Sequence, residues 1–539
     1  MPCLLHLYWV KQVLIMAFKN FIDANNEDVP NNLKTSVCII GAGAAGITLA
    51  NNLAEIDDVL LVESGDFEID GRTQALYSGS NIGLPYFDLL GCRLRYFGGT
   101  TNHWTGYCRP NDPIDYEGRE EMALPKWPIN EKDLNPFISQ AAKELGLSKD
   151  FYKPELLLTA KGAPTDELLE NVSSDFYTKI FQITKKLSFS KIYRDKLSKQ
   201  NNLRIYLNLN ATHVQLSSDA SRVSSISCKT LGGKIITVEA KEFILASHAI
   251  ENARLLLNSN DIRPEGVGNQ HDHVGRYFMD HVHISASKLI PSDKFPSIYN
   301  SVSFRKFNLN ANLSFTDDYL RKKNILQYYC RFNPVYVDEK VVDSLRGINN
   351  DIMEPFSLEL FNDIKSVMNN FTGSVDFLSA RFGVSQSLPK YYSLEHRIEQ
   401  VPNPDSRVVI SKTKDALDVP QADLQWKLNE HDYRTFRLGH EKIIKELSAL
   451  GMGRFITEEI TPELVDERVA GHYHHIGTTK MSKYPSDGVV DKDCKVHDLS
   501  NLHVAGSSIF PTAGYSGPTM MIVAFAMRLA KHISVKLQS

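Results

Sequence analysis

Short apolar runs separated by a glycine-rich turn mark the start of the chain. Residues 37–40 and 59–62 are uninterrupted apolar runs, and small and apolar residues at 47–53 between them have helical spacing. An apolar run of four residues bounded by turn signals is typical of a strand that is buried on both faces. The pattern therefore predicts a βαβ unit over residues 34–63.

The pattern changes twice along the rest of the chain. Up to about residue 283, helical and strand patterns alternate, as in an α/β protein. From 284 to 461, polar and apolar positions alternate in aromatic-rich segments, and this predicts an inserted domain whose sheet roofs a ligand. After residue 462 the α/β pattern returns. The predicted helices are 130–147, 164–186, 250–257 and 520–535, and the predicted strands are 203–214 with a turn at 208–210, a hairpin over 226–238, and a buried strand at 242–246.

Composition narrows the class of protein. The chain has 539 residues, which is too long for one simple core, and its 60 lysines and arginines nearly balance 64 acidic residues. Without a basic excess, nucleic acid is not an expected partner, and a small-molecule ligand is the better expectation. The seven cysteines are scattered and show no C-x-x-C spacing. They are typical of reduced thiols in a reducing compartment, so we expect a cytoplasmic protein.

The N-terminal stretch is apolar but is predicted to be neither a signal peptide nor a membrane span. Residues 1–18 are interrupted by Lys11 and have no basic start and no small-residue cleavage pattern. Elsewhere no stretch is long and apolar enough to cross a bilayer. Translation from Met1 and from Met16 both remain open, and residues 1–33 are interpreted as an N-terminal extension.

The turn inside the βαβ unit carries the first chemical signal. It reads Gly-Ala-Gly-Ala-Ala-Gly at 41–46. In such a turn Gly41 permits the bend, Gly43 lets the backbone approach a pyrophosphate, and Gly46 lets helix and strand pack closely. Glu63, at the end of the second strand, is suited to accept both ribose hydroxyls. The combination predicts a dinucleotide site over a purely structural turn, and it leaves NAD and FAD both open.

Several further segments, in this order, resemble the glucose-methanol-choline (GMC) family of FAD oxidoreductases over nearly the whole chain. Each segment alone is a weak signal, whereas their ordered combination is specific. The matching segments are 41–46 with Glu63, Gly-Gly-Thr-Thr-Asn at 98–102, 249–256, Val-Gly-Arg-Tyr-Phe-Met-Asp-His at 274–281, 402–408, His-His-Ile-Gly-Thr at 474–478, 488–491 and 501–512.

The resemblance implies an α/β fold with a discontinuous Rossmann-like FAD-binding domain and an inserted α+β substrate domain built on an antiparallel sheet. We expect the FAD-binding domain at 34–283 and 462–539 and the substrate domain at 284–461. The residues expected to bind FAD are Gly41, Gly43, Ala45, Gly46, Glu63, Gly98, Gly99, Thr101, Asn102, His103, Val214, Gly506, Ser507, Pro518 and Thr519.

His103 carries a more specific expectation. The segment Thr-Asn-His-Trp-Thr at 101–105 is similar to the Ser-Thr-His-Trp-Thr segment of the pyranose oxidase branch, in which the histidine is bonded to the flavin. The resemblance makes His103 a candidate covalent ligand of FAD. Packing beside the ring without a bond is the open alternative.

The catalytic expectation falls on a histidine cluster near the C-terminus. Oxidation of an alcohol needs a base for the hydroxyl proton while hydride leaves carbon for flavin N5, and histidine suits that task at neutral pH. The family pattern His-x-x-Gly-Thr puts this role on His474. If the segment is extended, His475 points elsewhere and His472 shares the His474 face. No metal is expected, because no nearby cysteine or glutamate completes a ligand set.

The chain departs from the family pattern at Gly517, where relatives usually carry a second histidine or asparagine that helps to hold the substrate hydroxyl. Ser516, Tyr515 or His475 would then have to supply the missing donor. Two other groups are interpreted as structural: the histidines at 271, 273, 281 and 283, and the aromatic residues Tyr328, Tyr329 and Phe332.

The resemblance favours an FAD-dependent oxidoreductase that oxidises a CH–OH group of a sugar-like or polyol substrate, with His474 as the base. The electron acceptor is oxygen, a quinone or a redox protein. The absence of a side chain at Gly517 keeps two alternatives open: a flavin-dependent lyase or isomerase on the same scaffold, or a flavin-binding protein with reduced activity.

Overall fold

The computed structural model describes residues 19–539, except residues 149, 151, 162–167, 172, 294, 300, 305–306 and 337–388. Among the residues described, no helix combines the length and the apolar character needed to cross a bilayer. The alternative starts at Met1 and Met16, and the apolar stretch 1–18, lie outside the described residues.

Eighteen strands and eleven α-helices are present in the described part of the chain. The strands are β1 (Phe21–Asp23), β2 (Asn32–Ile40), β3 (Val59–Val62), β4 (Tyr107–Cys108), β5 (Phe176–Ile183), β6 (Leu203–Leu207), β7 (Asn210–Leu216), β8 (Val223–Lys229), β9 (Ile235–Leu245), β10 (Val282–Pro291), β11 (Ser301–Phe304), β12 (Phe307–Phe315), β13 (Tyr328–Val335), β14 (Tyr391–Ile398), β15 (Arg407–Lys414), β16 (Pro420–Gln425), β17 (Gly453–Thr457) and β18 (Leu502–Val504). The helices are α1 (Ala44–Leu53), α2 (Gly71–Gln74), α3 (Ile114–Glu117), α4 (Glu131–Glu144), α5 (Pro154–Lys161), α6 (Phe189–Ser198), α7 (Ala249–Asn258), α8 (Asp317–Lys323), α9 (Glu430–Ala449), α10 (Pro462–Arg468) and α11 (Thr519–Gln538).

The first sheet holds the predicted βαβ unit. Its strand order is β1-β6-β3-β2-β9-β8-β7, and β18 also pairs with β9. The strands β2, β3, β6, β9 and β18 pair in parallel, and β7, β8 and β9 pair antiparallel. The apolar end of β2 is fully buried, as parallel strands covered on both faces require. Helix α1 follows β2 and packs against the C-terminal helix α11, so a C-terminal segment lies beside the helix that follows the glycine turn.

The second sheet is antiparallel and covers a cavity that extends to the glycine turn. Its order is β17-β10-β14-β13-β12-β5-β4, with β11 on β12. In β13 the residues alternate between two faces. Tyr328, Cys330 and Phe332 are buried in the core, whereas Tyr329 and Arg331 line the cavity. The sequence interpretation of Tyr329 as core is therefore incomplete, because the period of two along a strand places it on the opposite face from Tyr328.

Two segments join sheets other than those that the predicted domain ranges suggest. Strand β1 lies within the predicted N-terminal extension 1–33 but pairs with β6 in the parallel sheet. Strand β5 lies within 34–283 but pairs along its whole length with β12 in the antiparallel sheet. The division into 34–283 with 462–539 and 284–461 stays a prediction.

The predicted helix at 164–186 is wrong where residues are described. Residues 176–183 form β5, and the sequence Phe-Tyr-Thr-Lys-Ile-Phe-Gln-Ile is rich in aromatic and β-branched residues that favour a strand. The helical spacing is overridden by pairing with a strand more than a hundred residues away. The helices predicted at 130–147, 250–257 and 520–535, and the hairpin over 226–238, agree with α4, α7, α11 and the β8–β9 pair.

Candidate active site

A large cavity of about 910 Å³ runs from the glycine turn to the antiparallel sheet. It is lined by eleven of the fifteen residues predicted to bind the cofactor and by His474, His475 and Gly517. The eleven are Gly41, Gly43, Ala45, Glu63, Gly99, Thr101, His103, Gly506, Ser507, Pro518 and Thr519. Segments far apart in sequence therefore share one cavity.

The glycine turn has the form that a dinucleotide site requires. Gly41 has a φ of +100°, and a Cβ there would lie 2.7 Å from the carbonyl oxygen of Ala246. A Cβ on Gly46 would lie 1.8 Å from the carbonyl oxygen of Gly41. A Cβ on Gly43 would meet no atom within 4 Å, because it would stand in the cavity at the N-terminus of α1. The space above Gly43 thus accepts a ligand, and the free N–H groups of α1 favour an anionic one.

Glu63 holds the turn in place. Its carboxylate accepts hydrogen bonds from the backbone N–H groups of Ala42, at 2.8 Å, and Gly65, at 3.0 Å. Burial raises the pKa of Glu63 while these N–H groups oppose that rise. Each carboxylate oxygen has two lone pairs, so the side chain retains capacity for the ribose hydroxyls of a dinucleotide.

A buried arginine cluster at this end of the cavity was not predicted from the sequence. Arg93, Arg95 and Arg254 all contact the carboxylate of Glu251, at 3.0–3.2 Å, and Arg254 also contacts Asp415. Although burial opposes ionisation, Arg254, Arg93 and Arg95 lower the pKa of Glu251 to about 2. The three guanidinium groups line the cavity near the glycine turn, where they offer N–H donors to an anionic cofactor.

Four residues predicted to bind the cofactor do not line the cavity. Gly46 supports the turn from within the helix, and Gly98 has a φ of +95° that begins the 3₁₀ turn Gly99–Asn102. The Asn102 amide binds the carbonyl of Phe97 and the hydroxyl of Ser188. Val214 is fully buried. Ala211 and Thr212, which precede it in β7, line the cavity instead. His103 does line it, with Nε2 at 3.2 Å from the Tyr96 hydroxyl.

His474 lies at the other end of the cavity, on a segment held by Asp280. The buried Asp280 carboxylate accepts hydrogen bonds from the backbone N–H groups of His281, His472 and His474. The rings of His472 and His474 stack with centroids 5.9 Å apart, as expected for residues on one face. The Met-Asp-His segment and the C-terminal histidine segment therefore form one unit.

His281 contacts His474 directly, although the sequence interpretation made it structural. The two Nδ1 atoms are 2.8 Å apart, and Nε2 of His281 lies 3.1 Å from the carbonyl oxygen of Ala513. A carbonyl can only accept, so Nε2 of His281 carries the proton and its Nδ1 is the acceptor. His474 must then donate from Nδ1, which leaves the lone pair on its Nε2. Nε2 lies at Gly517, on the cavity wall.

Both histidines are held in the neutral form. Burial, and then the neighbouring His472, lower the pKa of His281 to about 3. Burial, then His281 and His472, hold the pKa of His474 well below its usual range. A neutral His474 with a free Nε2 lone pair is the form in which a histidine accepts a proton.

Two of the three candidate substitutes for a side chain at Gly517, Ser516 and Tyr515, already use their hydroxyl donors. Ser516 donates to the carbonyl of Arg109 at 2.6 Å, and the Tyr515 hydroxyl donates to Asp112 at 2.7 Å. His475 directs Nδ1 to His248 at 2.9 Å, and its Nε2 is buried without a partner among the described residues. The Ser516 hydroxyl is thus engaged, whereas Nε2 of His475 is not, and the catalytic roles of His475 and Ser516 stay predictions.

A glutamate does lie near the histidine cluster. The expectation that no nearby glutamate could complete a set of metal ligands is therefore wrong. Oε1 of Glu395, in β14, is 3.4 Å from Nε2 of His472 and 3.9 Å from Nε2 of His283. The three side chains could surround a cation. However, the Arg397 guanidinium already binds the same oxygen, so the cluster supports no metal proposal.

Fold and site together define a class: a protein with a dinucleotide-type parallel sheet whose ligand cavity is roofed by an antiparallel sheet. More specifically, the chain belongs to the GMC oxidoreductase family, since the models of its N-terminal and C-terminal parts match residues 94–283 and 402–526. The family cofactor is FAD, and the residues around the glycine turn fit it. The predictions of family, fold class and cofactor are confirmed.

Similar sequences come from several bacteria. The large subunit of fructose dehydrogenase from Gluconobacter japonicus is 26% identical over 327 residues, which are 60% of this chain and 53% of that protein. Paromamine 6'-oxidase from Streptomyces fradiae is 26% identical over 325 residues, 59% and 50% of the two chains. The matches thus span about half the length of these two relatives. 2-methyl-1,2-propanediol dehydrogenase from Mycolicibacterium austroafricanum is 22% identical over 93% of this chain and 95% of that one.

Solved structures share the fold across almost the whole chain. Formate oxidase matches with a TM-score of 0.56 and 17% identity, over 95% of this chain and 100% of that one. Pyridoxine 4-oxidase from Mesorbium loti matches with a TM-score of 0.56 and 16% identity, over 92% and 99%. At this level of identity, the likeness concerns the fold alone.

Proposed function

We propose that the protein is an FAD-dependent enzyme that oxidises a CH–OH group of a sugar-like or polyol substrate, with Nε2 of His474 as the base. The observation that carries the proposal is the hydrogen-bond chain from the Ala513 carbonyl through His281 to His474. That chain leaves one lone pair, on Nε2, at the cavity wall. Relatives named for the oxidation of fructose, paromamine and a propanediol support the substrate class.

The chain's own residues account for the handling of the proton. Nε2 of His474 accepts the hydroxyl proton, while Nδ1–H continues to donate to His281. The positive charge then formed on the ring lies close to the buried Asp280 carboxylate, which holds the His474 backbone. FAD, when bound, supplies the hydride acceptor. Attachment of FAD to His103 stays a prediction of the sequence.

An anaerobic reduction screen tests the function. We expect the flavin absorbance of the purified holoenzyme to bleach on mixing with at least one compound from a panel of sugars, sugar acids, sugar phosphates and polyols, and to recover on addition of a redox dye. Stoichiometric transfer of two electrons to the dye supports oxidation. A substrate that is converted with no electrons reaching the dye would favour the alternative of a lyase or isomerase, which the missing side chain at Gly517 suggests.

Replacing Gly517 by asparagine tests whether this position limits the rate. A Cβ there would lie 3.4 Å from the Tyr107 carbonyl oxygen and 3.7 Å from Nε2 of His474, which is ordinary contact distance. The added amide would lie beside the base, where it can bind the substrate hydroxyl. A net hydrogen bond of about 1 kcal/mol corresponds to roughly a fivefold faster flavin reduction, measured by stopped-flow absorbance.

The matched control for this variant is Gly517→Ala, which adds the Cβ without the amide. We expect the alanine variant to reduce its flavin no faster than the wild type. Equal rates for the asparagine and alanine variants would show that a second polar side chain is not what the site lacks.

The described cysteines support the predicted cytoplasmic location. All six, at positions 38, 92, 108, 228, 330 and 494, are buried and free of disulfides. Free buried thiols are typical of proteins from reducing compartments. The proposed reaction also needs an electron acceptor, which is oxygen, a quinone or a redox protein.

A further inference from the structure

The cavity face of the antiparallel sheet carries more charge than a site for neutral sugars needs. Arg331 of β13 and Glu395 and Arg397 of β14 all line the cavity. Arg331 is directly opposite Glu395 in the strand register. Side chains directly opposite each other on adjacent strands are close enough to pair, so a salt bridge between these two residues is the default expectation.

That salt bridge is not formed, because other groups occupy Glu395. Its Oε1 binds the guanidinium of Arg397, two residues along the same strand and on the same face. Its Oε2 accepts a hydrogen bond from Nδ2 of Asn333 at 2.9 Å. Although burial opposes ionisation, the hydrogen bond with His472 and the charge of Arg397 hold the pKa of Glu395 well below its usual range. The negative charge of Glu395 is thus compensated without Arg331.

Arg331 is left with positive charge and free donors. Among the residues described, it has no carboxylate partner, and its one side-chain hydrogen bond is from Nη2 to the Tyr107 hydroxyl at 3.0 Å. A guanidinium group has five N–H donors, and the side chain is half-buried in the cavity wall. An arginine with unused donors in a partly dry pocket is suited to bind a carboxylate or phosphate in a bidentate manner.

Tyr107 connects this arginine with the base. Its hydroxyl binds Arg331, and its backbone carbonyl oxygen is 3.4 Å from the Cβ position of Gly517. The same Cβ position is 3.7 Å from Nε2 of His474. Arg331, Tyr107 and His474 all line the same cavity, so a substrate that lies along Tyr107 can contact both Arg331 and His474.

We propose that the substrate is an anionic sugar or polyol derivative whose carboxylate or phosphate binds Arg331 while its reacting hydroxyl lies at His474. The proposal rests on the proposed function and specifies its substrate class. Glu395, whose negative charge is balanced by Arg397, then forms a polar wall with His472 and His283 for the other hydroxyl groups of the substrate.

The test compares anionic and neutral compounds with the holoenzyme in the anaerobic flavin-reduction assay. The probes are gluconate and glucuronate for the carboxylate, glucose 6-phosphate for the phosphate, and glucose and sorbitol as neutral counterparts. We expect kcat/KM for at least one anionic probe to exceed that for its neutral counterpart by roughly 10- to 100-fold, the range of a charge-assisted bidentate contact. The probe that succeeds distinguishes carboxylate from phosphate.

Substitution of the arginine provides the second arm. In Arg331→Gln the ratio of anionic to neutral kcat/KM should fall to near one, chiefly through KM, and Arg331→Lys should retain part of it. Arg437→Gln, an exposed arginine on α9, is the matched control and should keep the wild-type ratio.

Two results overturn the proposal in different ways. Neutral probes that reduce the flavin as well as the anionic ones, or an unchanged ratio in Arg331→Gln, refute the anionic substrate and leave the oxidation itself standing. Failure of every probe in the panel to reduce the flavin counts against the proposed function and removes the substrate class with it.

Discussion

Replacing His474 by glutamine lowers the rate of flavin reduction by a factor of about 10² to 10⁴, the usual contribution of a positioned general base. Glutamine keeps the backbone N–H that binds Asp280, and its side chain remains polar, but it has no nitrogen that accepts a proton at neutral pH. We therefore expect bound FAD and the unfolding temperature to stay close to wild-type values while the chemical step slows. Anaerobic stopped-flow absorbance at saturating substrate measures that step.

The pH profile of the wild-type enzyme tests the same assignment. A lowered pKa keeps His474 neutral, and hence basic, at pH values where an ordinary histidine of pKa about 6.5 is already protonated. The rate of flavin reduction should therefore stay level as the pH falls through 6.5 and decline only at lower pH. His213→Gln is the matched control, because His213 lies near the surface and pairs with Asp261. A His474→Gln variant as fast as this control would rule out His474 as the base.

The parts of the fold that local patterns determine were predictable from the sequence. The unit β2–α1–β3 and the helices α4, α7 and α11 each carry their own apolar spacing and turn residues. Strand β5 was not predictable in this way, because its partner β12 lies far along the chain and the pairing overrides the local periodicity. For the same reason β1 was assigned to an extension, although it completes the parallel sheet.

The residues of the candidate site show the same difference between local sequence patterns and long-range contacts. Motifs led to Gly41, Gly43, Glu63 and His474, since each lies in a short segment whose spacing carries the chemistry. His281 could have been found from its place in the Met-Asp-His segment, but only the structure brings its Nδ1 to that of His474.

The residues on the roof of the cavity depend on strand register, which no local pattern gives. The one signal available for Arg331 was its charge, in a strand of mostly apolar and aromatic residues. The contact of Arg331 with Tyr107 does not follow from spacing, because the two residues lie in separate strands, β13 and β4.

The glycine turn gives the second large effect: Gly43→Val should yield a folded protein without FAD. A Cβ at Gly43 meets no protein atom within 4 Å, and the residue is extended, with φ −84° and ψ −163°, which valine adopts readily. The added methyl groups would instead fill the space in front of the N-terminus of α1, where the backbone of this motif approaches a pyrophosphate. We expect FAD content below about a tenth of wild type, because the close approach that P-loop-like and Rossmann-type turns need is blocked sterically.

Two further glycine variants separate loss of the cofactor from loss of the fold. At Gly71 too, a Cβ meets no atom within 4 Å, but this residue lies outside the cavity, so Gly71→Val should keep its yellow colour. Gly46→Ala sets a Cβ against the Gly41 carbonyl oxygen inside the helix–strand contact, so it should lose both FAD and thermal stability. Gly43→Val should resemble neither, because its apo-form should unfold at the temperature of the wild-type apoprotein in calorimetry. Stoichiometric FAD in Gly43→Val would mean that the cofactor does not approach the turn at this residue.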